Sequence, residues 1–340
     1  MTVRNFETSD AASWDAFVQA HPDGSVFHLT KWRTVIQRAF GHQAHYLIAE
    51  RDGKIQGVLP LARIRSMLFG DSLVSVPFGV YGGILAVDSS AHDDLAETAR
   101  ALANEKRVDY LELRNRVRRH PDWPQKDLYV TFRKRLDPDP DANLARIPRR
   151  QRAMVRRGLK AGLTAETDSS PDRFYSLYAT SVRNLGTPVF PRRYFDILCE
   201  VFKEECEILT VLHEGRPVSG VMSFYFRDEV LPYYGGGTME ARNLAANDFM
   251  YWELMRRACE RGIQIFDYGR SKRETGSYRF KKHWGFEPEP LFYEYALVRS
   301  KTMPEINPLN PKYQLFIRAW KRLPLAVANA VGPMISKNLG

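Results

Sequence analysis

Residues 46–64, YLIAERDGKIQGVLPLARI, decide the fold of this chain, because they form the pattern of two apolar strands joined by a tight turn at Asp52-Gly53. Residues 209–226, LTVLHEGRPVSGVMSFYF, repeat that pattern. Gly57-Val58 in the first hairpin corresponds to Gly220-Val221 in the second, with one more residue in the second turn region. Two hairpins with shared glycines, roughly 160 residues apart, indicate a repeated structural unit.

The repeat extends in both directions from the hairpins. A glycine-bearing strand follows each one, at residues 80–83 and 233–237. A helical stretch and a short strand come next, the strands at residues 109–113 and 264–268. Each half also begins with a strand-like segment and two helical segments, so the order β-α-α-β-β-β-α-β occurs twice. This order predicts an α+β protein with mixed, mainly antiparallel sheets rather than a doubly wound parallel sheet.

Composition agrees with a folded chain of two domains. The 340 residues are 44% hydrophobic and 26% charged, and no apolar run approaches the length of a membrane-spanning helix. The net charge of +10 is concentrated in two places. Residues 146–160 hold seven basic residues and no acid, and residues 301–340 hold six basic residues and one acid. The rest of the chain is nearly neutral, which argues against a general nucleic-acid binder and against DNA as a partner.

These segments suggest the domain boundaries. We expect one domain at residues 1–136, a basic linker and helix at 137–162, a second domain at 163–300 and a basic amphipathic tail at 301–340. The tail is too short and too broken by proline to span a bilayer, but its composition suits the membrane interface. The polar amino terminus lacks the pattern of a secretory signal, which predicts a cytoplasmic protein. The cysteines form no CxxC pair and are expected to be small buried hydrophobic residues.

The order of elements and the GxxxxGV hairpin resemble the N-acetyltransferase (GNAT) fold. Two copies in tandem resemble the FemAB-type transferases, which add amino acids to peptidoglycan precursors. The sequence is most similar to the FemAB-related proteins that accompany exosortase/PEP-CTERM exopolysaccharide systems. Four segments carry this resemblance: FHLTKW (27–32), SVPFGVYGGIL (75–85), FDYGRSKRETGSYRFKKHWGF (266–286) and WKRLP with VGPMISKNLG (320–340).

The resemblance implies acyl transfer, in which an amine attacks an activated acyl group and expels its carrier. In the classical members the carrier is tRNA and the acceptor is a lipid-linked or UDP-linked muropeptide. Members that use coenzyme A wrap its pyrophosphate in a glycine-bearing loop that opens a helix. The corresponding residues 242–247, RNLAAN, contain no glycine, and residues 89–94 contain no such loop. We therefore expect no permanently bound cofactor, and a donor that is either aminoacyl-tRNA or acyl-CoA.

The candidate catalytic residues lie near the end of the second repeat. Lys281 matches the aromatic-lysine element of the family, where a lysine steadies phosphate or the negative charge that develops at the reacting carbonyl. Arg279 and Lys282 flank it as candidate substrate-binding residues. Asp267 and Arg270 follow a predicted strand, where Asp267 could orient an amine and Arg270 could pair with phosphate or carboxylate. The alternative for Asp267 is that it caps the following turn.

Candidate binding residues combine aromatic rings with glycine backbone. The set in the first repeat is Lys31, Trp32, Phe78, Tyr81, Gly82 and Gly83, and the set in the second is Tyr234, Gly235 and Gly236. The alternatives are that the glycines mark strand bulges, that Trp32 is part of the core and that Lys31 is solvated. His42 and His45 are spaced i, i+3, but a third ligand is missing nearby, so no metal site is predicted.

These observations predict an acyl or aminoacyl transferase that acts on an amine of a cell-envelope precursor. One alternative is an acyl-CoA-dependent N-acetyltransferase of exopolysaccharide synthesis, and another is a non-catalytic scaffold protein of an export system. The expected partners are a phosphate-bearing precursor, tRNA as a possible donor carrier, and the inner membrane surface. The basic residues 146–160 are compatible with a phosphate backbone, with a solvated helix or with anionic lipid.

Overall fold

The computed structural model describes residues 1–66, 69–304 and 311–340. Contacts divide the chain into two units, and each of them includes segments from distant parts of the sequence. The first unit is Met1–Tyr129, Pro290–Ile306 and Lys337–Gly340, and the second is Val130–Glu289 and Asn307–Ser336. The carboxyl-terminal part of the chain thus contributes to both.

The strands of the described residues are, in chain order, β1 (Thr2–Asn5), β2 (Gln43–Arg51), β3 (Lys54–Ser66), β4 (Gly70–Ser75), β5 (Leu85–Ala86), β6 (Tyr110–Asn115), β7 (Gln125–Lys126), β8 (Tyr129–Arg135), β9 (Thr164–Asp168), β10 (Cys206–His213), β11 (Arg216–Phe226), β12 (Glu229–Gly237), β13 (Ile265–Asp267), β14 (Ser271–Lys272), β15 (Pro288–Pro290) and β16 (Phe292–Leu297). The helices are α1 (Ala11–Ala20), α2 (Thr30–Phe40), α3 (Ser89–Glu105), α4 (Pro140–Arg146), α5 (Arg149–Lys160), α6 (Asp172–Leu185), α7 (Arg192–Phe202), α8 (Glu240–Leu244), α9 (Ala246–Glu260), α10 (Gly276–His283), α11 (Pro311–Trp320) and α12 (Leu325–Ser336).

The first sheet has the strand order β1-β2-β3-β4-β6-β16-β7, with β5 paired to β3. Its central hairpin, β2–β3, turns at Asp52 and Gly53, whose φ angles of 51° and 70° are those of a tight hairpin turn. A Cβ atom on Gly57 would lie 2.9 Å from the side chain of Leu95 and 2.9 Å from the carbonyl of Leu85. Glycine at this position therefore lets α3 and β5 pack directly on the hairpin.

The second sheet has the order β14-β8-β13-β12-β11-β10-β9. Its hairpin β10–β11 turns at Glu214 and Gly215, with φ angles of 49° and 76°, and so repeats the turn of the first unit. A Cβ atom on Gly236 would lie 2.6 Å from Cα of Tyr178 and 2.7 Å from the backbone of Leu177. Because only glycine fits, helix α6 lies directly against strand β12.

Each unit has its own apolar core. In the first unit, Leu95 and Ala99 of α3 are fully buried among β2, β3, β4 and β6. In the second unit the core lies between the sheet and α9, and it includes Trp252, Leu254 and Trp284. Burial of such large side chains supplies most of the favourable free energy of folding.

The basic helix α5 is part of the second unit and packs on α9. Its buried residues Gln151, Val155 and Gly158 are spaced i, i+4, i+7, and a Cβ atom on Gly158 would lie 2.7 Å from Cβ of Phe249. The Gln151 amide also donates a hydrogen bond to the buried carboxylate of Asp248 at the start of α9. The opposite side of α5 is left exposed.

The structure confirms the α+β class and the repeated order of elements. The prediction of a strand at residues 80–83 is wrong, because these residues form an irregular segment and the corresponding strand is β4. The unit boundaries differ from the predicted boundaries at 136, 162 and 300. Strand β8 enters the second sheet, and β16 returns to the first sheet to pair with β6 and β7. Residues 301–340 contain the helices α11 and α12. Among the residues that the structure describes, no helix has the length and apolar character needed to cross a membrane.

Candidate functional site

In each sheet, one pair of parallel strands is paired over only part of its length. In the first unit, β4 and β6 pair only from Ser72 and Tyr110 to Val74 and Glu112. In the second unit, β12 and β13 pair only at Glu229–Ile265 and Val230–Phe266, although β12 continues to Gly237. The ends of these strands and the residues that follow them form the two candidate sites.

A pocket that is partly open to solvent lies at the end of β6 in the first unit. It combines backbone from the glycine-bearing segment with polar side chains from the end of β6. Its lining residues are Asp23, His28, Tyr81, Gly83, Ile84, Leu85, Arg114, Asn115, Arg116, Val117 and Arg119. Tyr81 and Gly83 are thus at the pocket, as the binding prediction requires, and Gly82 lies between them with its N–H bonded to the carbonyl of Arg114 at 3.1 Å.

Buried side chains hold the segment that leads into the pocket. Arg114, which is 3% exposed, donates hydrogen bonds to the carbonyls of Gly79 (2.8 Å) and Val76 (3.2 Å). The Tyr293 hydroxyl donates to the carbonyl of Val80 at 2.9 Å. Val76 and Phe78 have positive φ angles of 48° and 65°, a conformation that is costly for such side chains. These bonds keep the segment in that conformation, so the pocket wall is preorganised.

His28 supports the same wall from behind. Its Nε2 lies 3.0 Å from the carbonyl oxygen of Gly83, and its Nδ1 lies 2.8 Å from the hydroxyl of Ser25. Because a carbonyl only accepts hydrogen bonds, Nε2 carries the proton and Nδ1 accepts from Ser25. Burial lowers the pKa of His28 to about 4, so the ring is neutral near pH 7. His28 therefore fixes the position of Gly83.

Two arginine side chains supply positive charge to the pocket. The guanidinium of Arg116 lies 5.3 Å from the ring centroid of Tyr81, in a cation–π contact. Arg119 is exposed at the same pocket. Neither arginine makes an ion pair with any residue that the structure describes. Two unpaired guanidinium groups beside an aromatic ring and a glycine backbone can bind a phosphate or a carboxylate.

A buried carboxylate from strand β16 organises the residues that carry these arginines. Glu294 is fully buried and accepts four hydrogen bonds. The donors are Asn115 Nδ2 (2.7 Å), His120 Nδ1 (2.7 Å), and the backbone N–H groups of Arg119 (2.7 Å) and His120 (3.2 Å). Burial opposes ionisation, but these hydrogen bonds outweigh it and lower the pKa of Glu294. An ionised Glu294 thus holds Asn115 and the backbone of Arg119 at the pocket.

The second unit contains a cluster of charged groups at the end of β13. Asp267 is fully buried and accepts hydrogen bonds from Gly269 N (2.6 Å) and the Thr131 hydroxyl (3.1 Å). Its second oxygen lies 3.2 Å from Nε of Arg133, and Arg133 also pairs with Glu229. Burial, together with the charge of Asp267, raises the pKa of Glu229 to about 8. Asp267 closes the turn that follows β13, which is the alternative that the sequence left open.

Lys281 of α10 lies beside that turn and is 8% exposed. Its Nζ donates hydrogen bonds to the carbonyls of Gly269 (2.9 Å) and Arg270 (3.2 Å), and lies 5.6 Å from the ring centroid of Phe132. Burial lowers the pKa of Lys281 to about 7, although the charge of Asp267 opposes that shift. Both protonation states of this amine are therefore populated near neutral pH. An ammonium has three N–H donors, and two of them are used by these carbonyls.

The structure thus brings Lys281 of α10 into contact with the turn that contains Asp267 and Arg270. Their predicted neighbours Arg279 and Lys282 are exposed on α10, where Arg279 donates to the carbonyl of Glu274 at 3.1 Å.

Tyr234 and its glycines lie on β12 of the same unit. The Tyr234 hydroxyl is 2.8 Å from that of Tyr194, within a group of packed aromatic rings. Gly235 is exposed, and a Cβ atom on it would lie 3.4 Å from the hydroxyl of Tyr251. Gly236 is buried against α6, so its role in the structure is close packing.

The remaining candidates of the first unit surround the pocket segment. Trp32 is fully buried, in agreement with the alternative that it is part of the core. Its Nε1 donates a hydrogen bond to the carbonyl of Pro77 at 3.3 Å. Phe78 is 6% exposed and packs on Phe40, with ring centroids 4.3 Å apart. Lys31 is half-buried in the first turn of α2. None of the three is among the residues that line the described pocket.

Sequence reasoning missed several residues of these sites. His28, Arg116, Arg119 and Glu294 belong to the first site, and Arg133 and Glu229 belong to the second. The alternation LELRNR at residues 111–116 was a usable signal, because three polar side chains at the end of a strand are unusual in a core. Glu294 gave no such signal, since its partners are about 175 residues away in the sequence.

Comparisons with known proteins agree with this architecture. Residues 145–282 match the model of the acetyltransferase (GNAT) domain family. The crystal structure of FemX superposes with a TM-score of 0.67 at 19% identity, and the match covers 93% of this chain and 100% of that one. A tandem GNAT protein from the clavulanic acid biosynthesis pathway superposes with a TM-score of 0.56 at 14% identity, covering 87% and 98%. The superpositions show the GNAT fold, and the domain match supports an acyltransferase of that fold, as predicted.

A particular branch of that class is also supported. A lipid II:glycine glycyltransferase of Staphylococcus aureus (strain USA300) is 22% identical to this chain, and the alignment covers 91% of this chain and 94% of that protein. Together with the likeness to FemX, this match supports the resemblance to the FemAB-type transferases.

Proposed function

We propose that this protein transfers an aminoacyl group from tRNA to an amine on a peptidoglycan-type precursor, at the cytoplasmic surface of the membrane. The observation that carries the proposal is the pocket of the first unit, where Arg116 and Arg119 face no acidic ion-pair partner among the described residues. Asp23 is the one acidic side chain among the lining residues of the described pocket, and a phosphate-bearing precursor supplies a negative group for the two guanidinium groups. The relative that is named a lipid II:glycine glycyltransferase supports this class of acceptor.

The pocket suits a precursor whose phosphate or carboxylate binds two guanidinium groups. Arg116 lies over the ring of Tyr81, so the ring restricts where the guanidinium can go. The backbone of Gly83 carries no side chain, so a ligand can approach it closely. Because Arg114, His28 and Glu294 hold this wall in place, little conformational entropy is lost when an acceptor binds.

The reaction joins the amine nitrogen to the acyl carbon and breaks the ester bond to the tRNA ribose. The amine loses one proton, and the departing ribose oxygen gains one, so no external reductant or oxidant is needed. Negative charge develops on the acyl oxygen during the attack, and a fixed positive group near it speeds the reaction. We propose Lys281 for that role in the second unit, because it has one N–H donor beyond those used by Gly269 and Arg270.

The start of α9 favours a donor other than acyl-CoA. A helix N-terminus attracts a pyrophosphate through its free N–H groups and its dipole. In this chain, Ala245 and Ala246 stand where a glycine-bearing loop would be needed, and the carboxylate of Asp248 lies in the first turn. A carboxylate at this position repels a second anion. The exposed basic side of α5, in contrast, suits the phosphates of a tRNA.

The proposal is tested by a reconstituted transfer assay with purified protein, glycyl-tRNA and a UDP-linked muropeptide, in which mass spectrometry detects the extended peptide. Arg116→Ala combined with Arg119→Ala should raise the KM for the muropeptide at least tenfold, because two charged contacts are lost. Arg118→Ala is the matched control, since Arg118 is exposed between them and its guanidinium donates to the carbonyl of Pro121. Equal effects of the control and the double variant would exclude the pocket as the acceptor site.

The same assay separates the rival donors. Transfer from acetyl-CoA but not from aminoacyl-tRNA would replace the tRNA proposal with an N-acetyltransferase. Transfer to an amino sugar rather than a peptide amine would support a role in exopolysaccharide synthesis, where the association with exosortase/PEP-CTERM systems remains a prediction. Absence of any transfer, together with tight precursor binding, would leave the scaffold interpretation.

A further inference from the structure

The exposed apolar side chains of this protein are concentrated on its carboxyl-terminal helices. Eleven large hydrophobic residues of the described chain are exposed, and five of them lie on α11 and α12. These five, with their exposed fractions, are Leu315 (75%), Phe316 (40%), Val327 (43%), Val331 (39%) and Met334 (68%). A sixth, Leu185 (66%), ends α6 next to α11. Half of the exposed hydrophobic residues therefore lie in one region, which we call the tail surface.

Both helices are docked on the second unit, so the exposed side chains do not belong to a loose tail. A Cβ atom on Gly332 would lie 2.8 Å from Cγ1 of Val189, and one on Gly186 would lie 2.5 Å from Cγ2 of Ile317. Arg183 donates to the carbonyl of Lys321 at 3.3 Å. Trp320 is 3% exposed and faces inward.

The outward side of α12 is a continuous apolar stripe. Val327, Val331 and Met334 follow the i, i+4, i+7 spacing of one helix face. Ala328, Gly332 and Ser336 form the buried face. Apolar residues thus occupy two sides of this helix, although only one of those sides is covered by the protein. A helix that is apolar on its outer side normally contacts a further apolar phase or surface.

The charged residues of the tail segment itself are all positive. Residues 311–340 contain five basic residues and no acidic residue. Arg318, Lys321, Arg322 and Lys337 are exposed. An apolar face together with exposed cations on the same helical segment is typical of helices that lie in the interface of an anionic bilayer. A protein partner would need an apolar groove with acidic groups at several points, whereas a bilayer surface supplies both features over its whole area.

The helix lengths exclude insertion across the bilayer. Helix α11 has 10 residues and α12 has 12, so each is about 15 to 18 Å long, against about 30 Å of hydrocarbon. We propose that the tail surface docks the protein on an anionic membrane, with the apolar side chains in the acyl boundary and the cations at the lipid phosphates. The inference deepens the proposed function by naming the surface through which it would reach a lipid-linked acceptor, and its test does not depend on transfer activity.

The test is co-sedimentation of the full-length protein with vesicles of phosphatidylglycerol and phosphatidylethanolamine, compared with vesicles of phosphatidylcholine alone. We expect binding to the anionic vesicles that weakens as salt is raised, and little binding to the neutral ones. Leu315→Ser with Met334→Ser, and separately Lys321→Gln with Arg322→Gln, should each weaken the binding at least tenfold. Met239→Ser is the matched control, because Met239 is 66% exposed outside the tail surface.

Several results would overturn the inference. The inference is wrong if the control and the tail variants bind the vesicles equally well. It is also wrong if vesicle binding is lost only when Arg156 and Arg157 of α5 are changed to Gln. A dimer in light scattering that the Leu315→Ser and Met334→Ser changes dissolve would assign the surface to a second copy of the chain. Transfer to a soluble UDP-linked muropeptide should be unchanged in the tail variants. Failure of vesicle binding with intact transfer would therefore refute the docking and leave the proposed function standing.

Discussion

Replacement of Glu294 by Gln tests whether a buried carboxylate organises the pocket of the first unit. One oxygen of Glu294 accepts the backbone N–H groups of Arg119 and His120, and the other accepts Asn115 Nδ2 and His120 Nδ1. A glutamine keeps the volume, but its NH₂ group replaces one of these oxygens. Two of the four hydrogen bonds then become contacts between two donors.

The expected cost follows from these contacts. A hydrogen bond to a charged group contributes about 1.5–3 kcal/mol, so the loss of two predicts that the free energy of unfolding falls by roughly 3–6 kcal/mol. Typical domains unfold with about 5–15 kcal/mol, so the variant should still fold in mild conditions. Urea denaturation at pH 7 measures the change, and Glu97→Gln serves as the control because Glu97 is exposed in the same unit.

The pH dependence gives a second readout. The folded-state pKa of Glu294 lies below its ordinary value of 4.5, so its stabilising contribution is complete above pH 4.5 and is lost as the pH falls through the lower, folded-state pKa. The difference between the wild type and Glu294→Gln should therefore narrow in acid. In the transfer assay the variant should raise the KM for the precursor more than it lowers kcat. A stability change below about 1 kcal/mol, the size of one neutral hydrogen bond, would refute the reasoning.

Three further predictions follow from the second unit. Gly236→Ala should destabilise the protein by about 1–3 kcal/mol in thermal or urea unfolding because its Cβ atom would press on the backbone of α6, whereas Gly235→Ala, at an exposed position, should change stability by less than about 0.5 kcal/mol. Lys281→Met should lower kcat at least tenfold, whereas the exposed control Lys282→Met should not. If the protonated amine is the active form, the kcat of the wild type falls as the pH rises through about 7. A rise of kcat over the same range would instead make the neutral amine a general base. The pKa of Lys281 is about 7 in the folded protein and 10.5 ordinarily, so between pH 7 and pH 10.5 the unfolded chain binds more protons than the folded one. Over this pH range the free energy of unfolding of the wild type should therefore rise relative to that of Lys281→Met, by at most about 5 kcal/mol. Urea titrations at several pH values measure this change.

Local patterns explain how much of the fold the sequence could predict. Turn residues with positive φ, such as Asp52-Gly53 and Glu214-Gly215, and alternating apolar strands act over a few residues, so both hairpins are visible in the sequence. Gly41 caps α2 in a left-handed conformation, as its position after an apolar helix predicts. The repeated order of elements follows from such signals alone.

Pairings between strands that are far apart in the sequence explain why the observed units differ from the predicted domains. Strand β16 lies within residues 163–300, which the sequence predicts to be the second domain, yet it pairs with β6 in the first sheet. Nothing within residues 292–297 specifies that partner, because an alternating apolar strand fits the edge of either sheet. The division of the chain therefore differs from a simple cut near residue 136.

The residues of the candidate sites were likewise only partly predictable from the sequence. Tyr81 and Gly83 could be found from sequence because aromatic and glycine residues are conspicuous beside each other. Arg116 and Arg119 were not singled out, since an arginine-rich chain offers many equivalent candidates and only the structure shows which ones line the pocket. The sequence names Asp267 and Lys281 as candidates, but their burial and their bonds to the turn at Gly269 depend on tertiary packing.

The path of the chain has a consequence for synthesis on the ribosome. Strand β16 lies between β6 and β7, so the first sheet lacks an interior strand until residue 297 has emerged. During the intervening translation, β6 and β7 present open edges that could pair with other nascent chains. Expression of residues 1–136 alone should therefore yield an aggregation-prone fragment, whereas a circular permutant whose chain begins just before β16 should let the first unit mature early, because β16 is then made before β1 to β7.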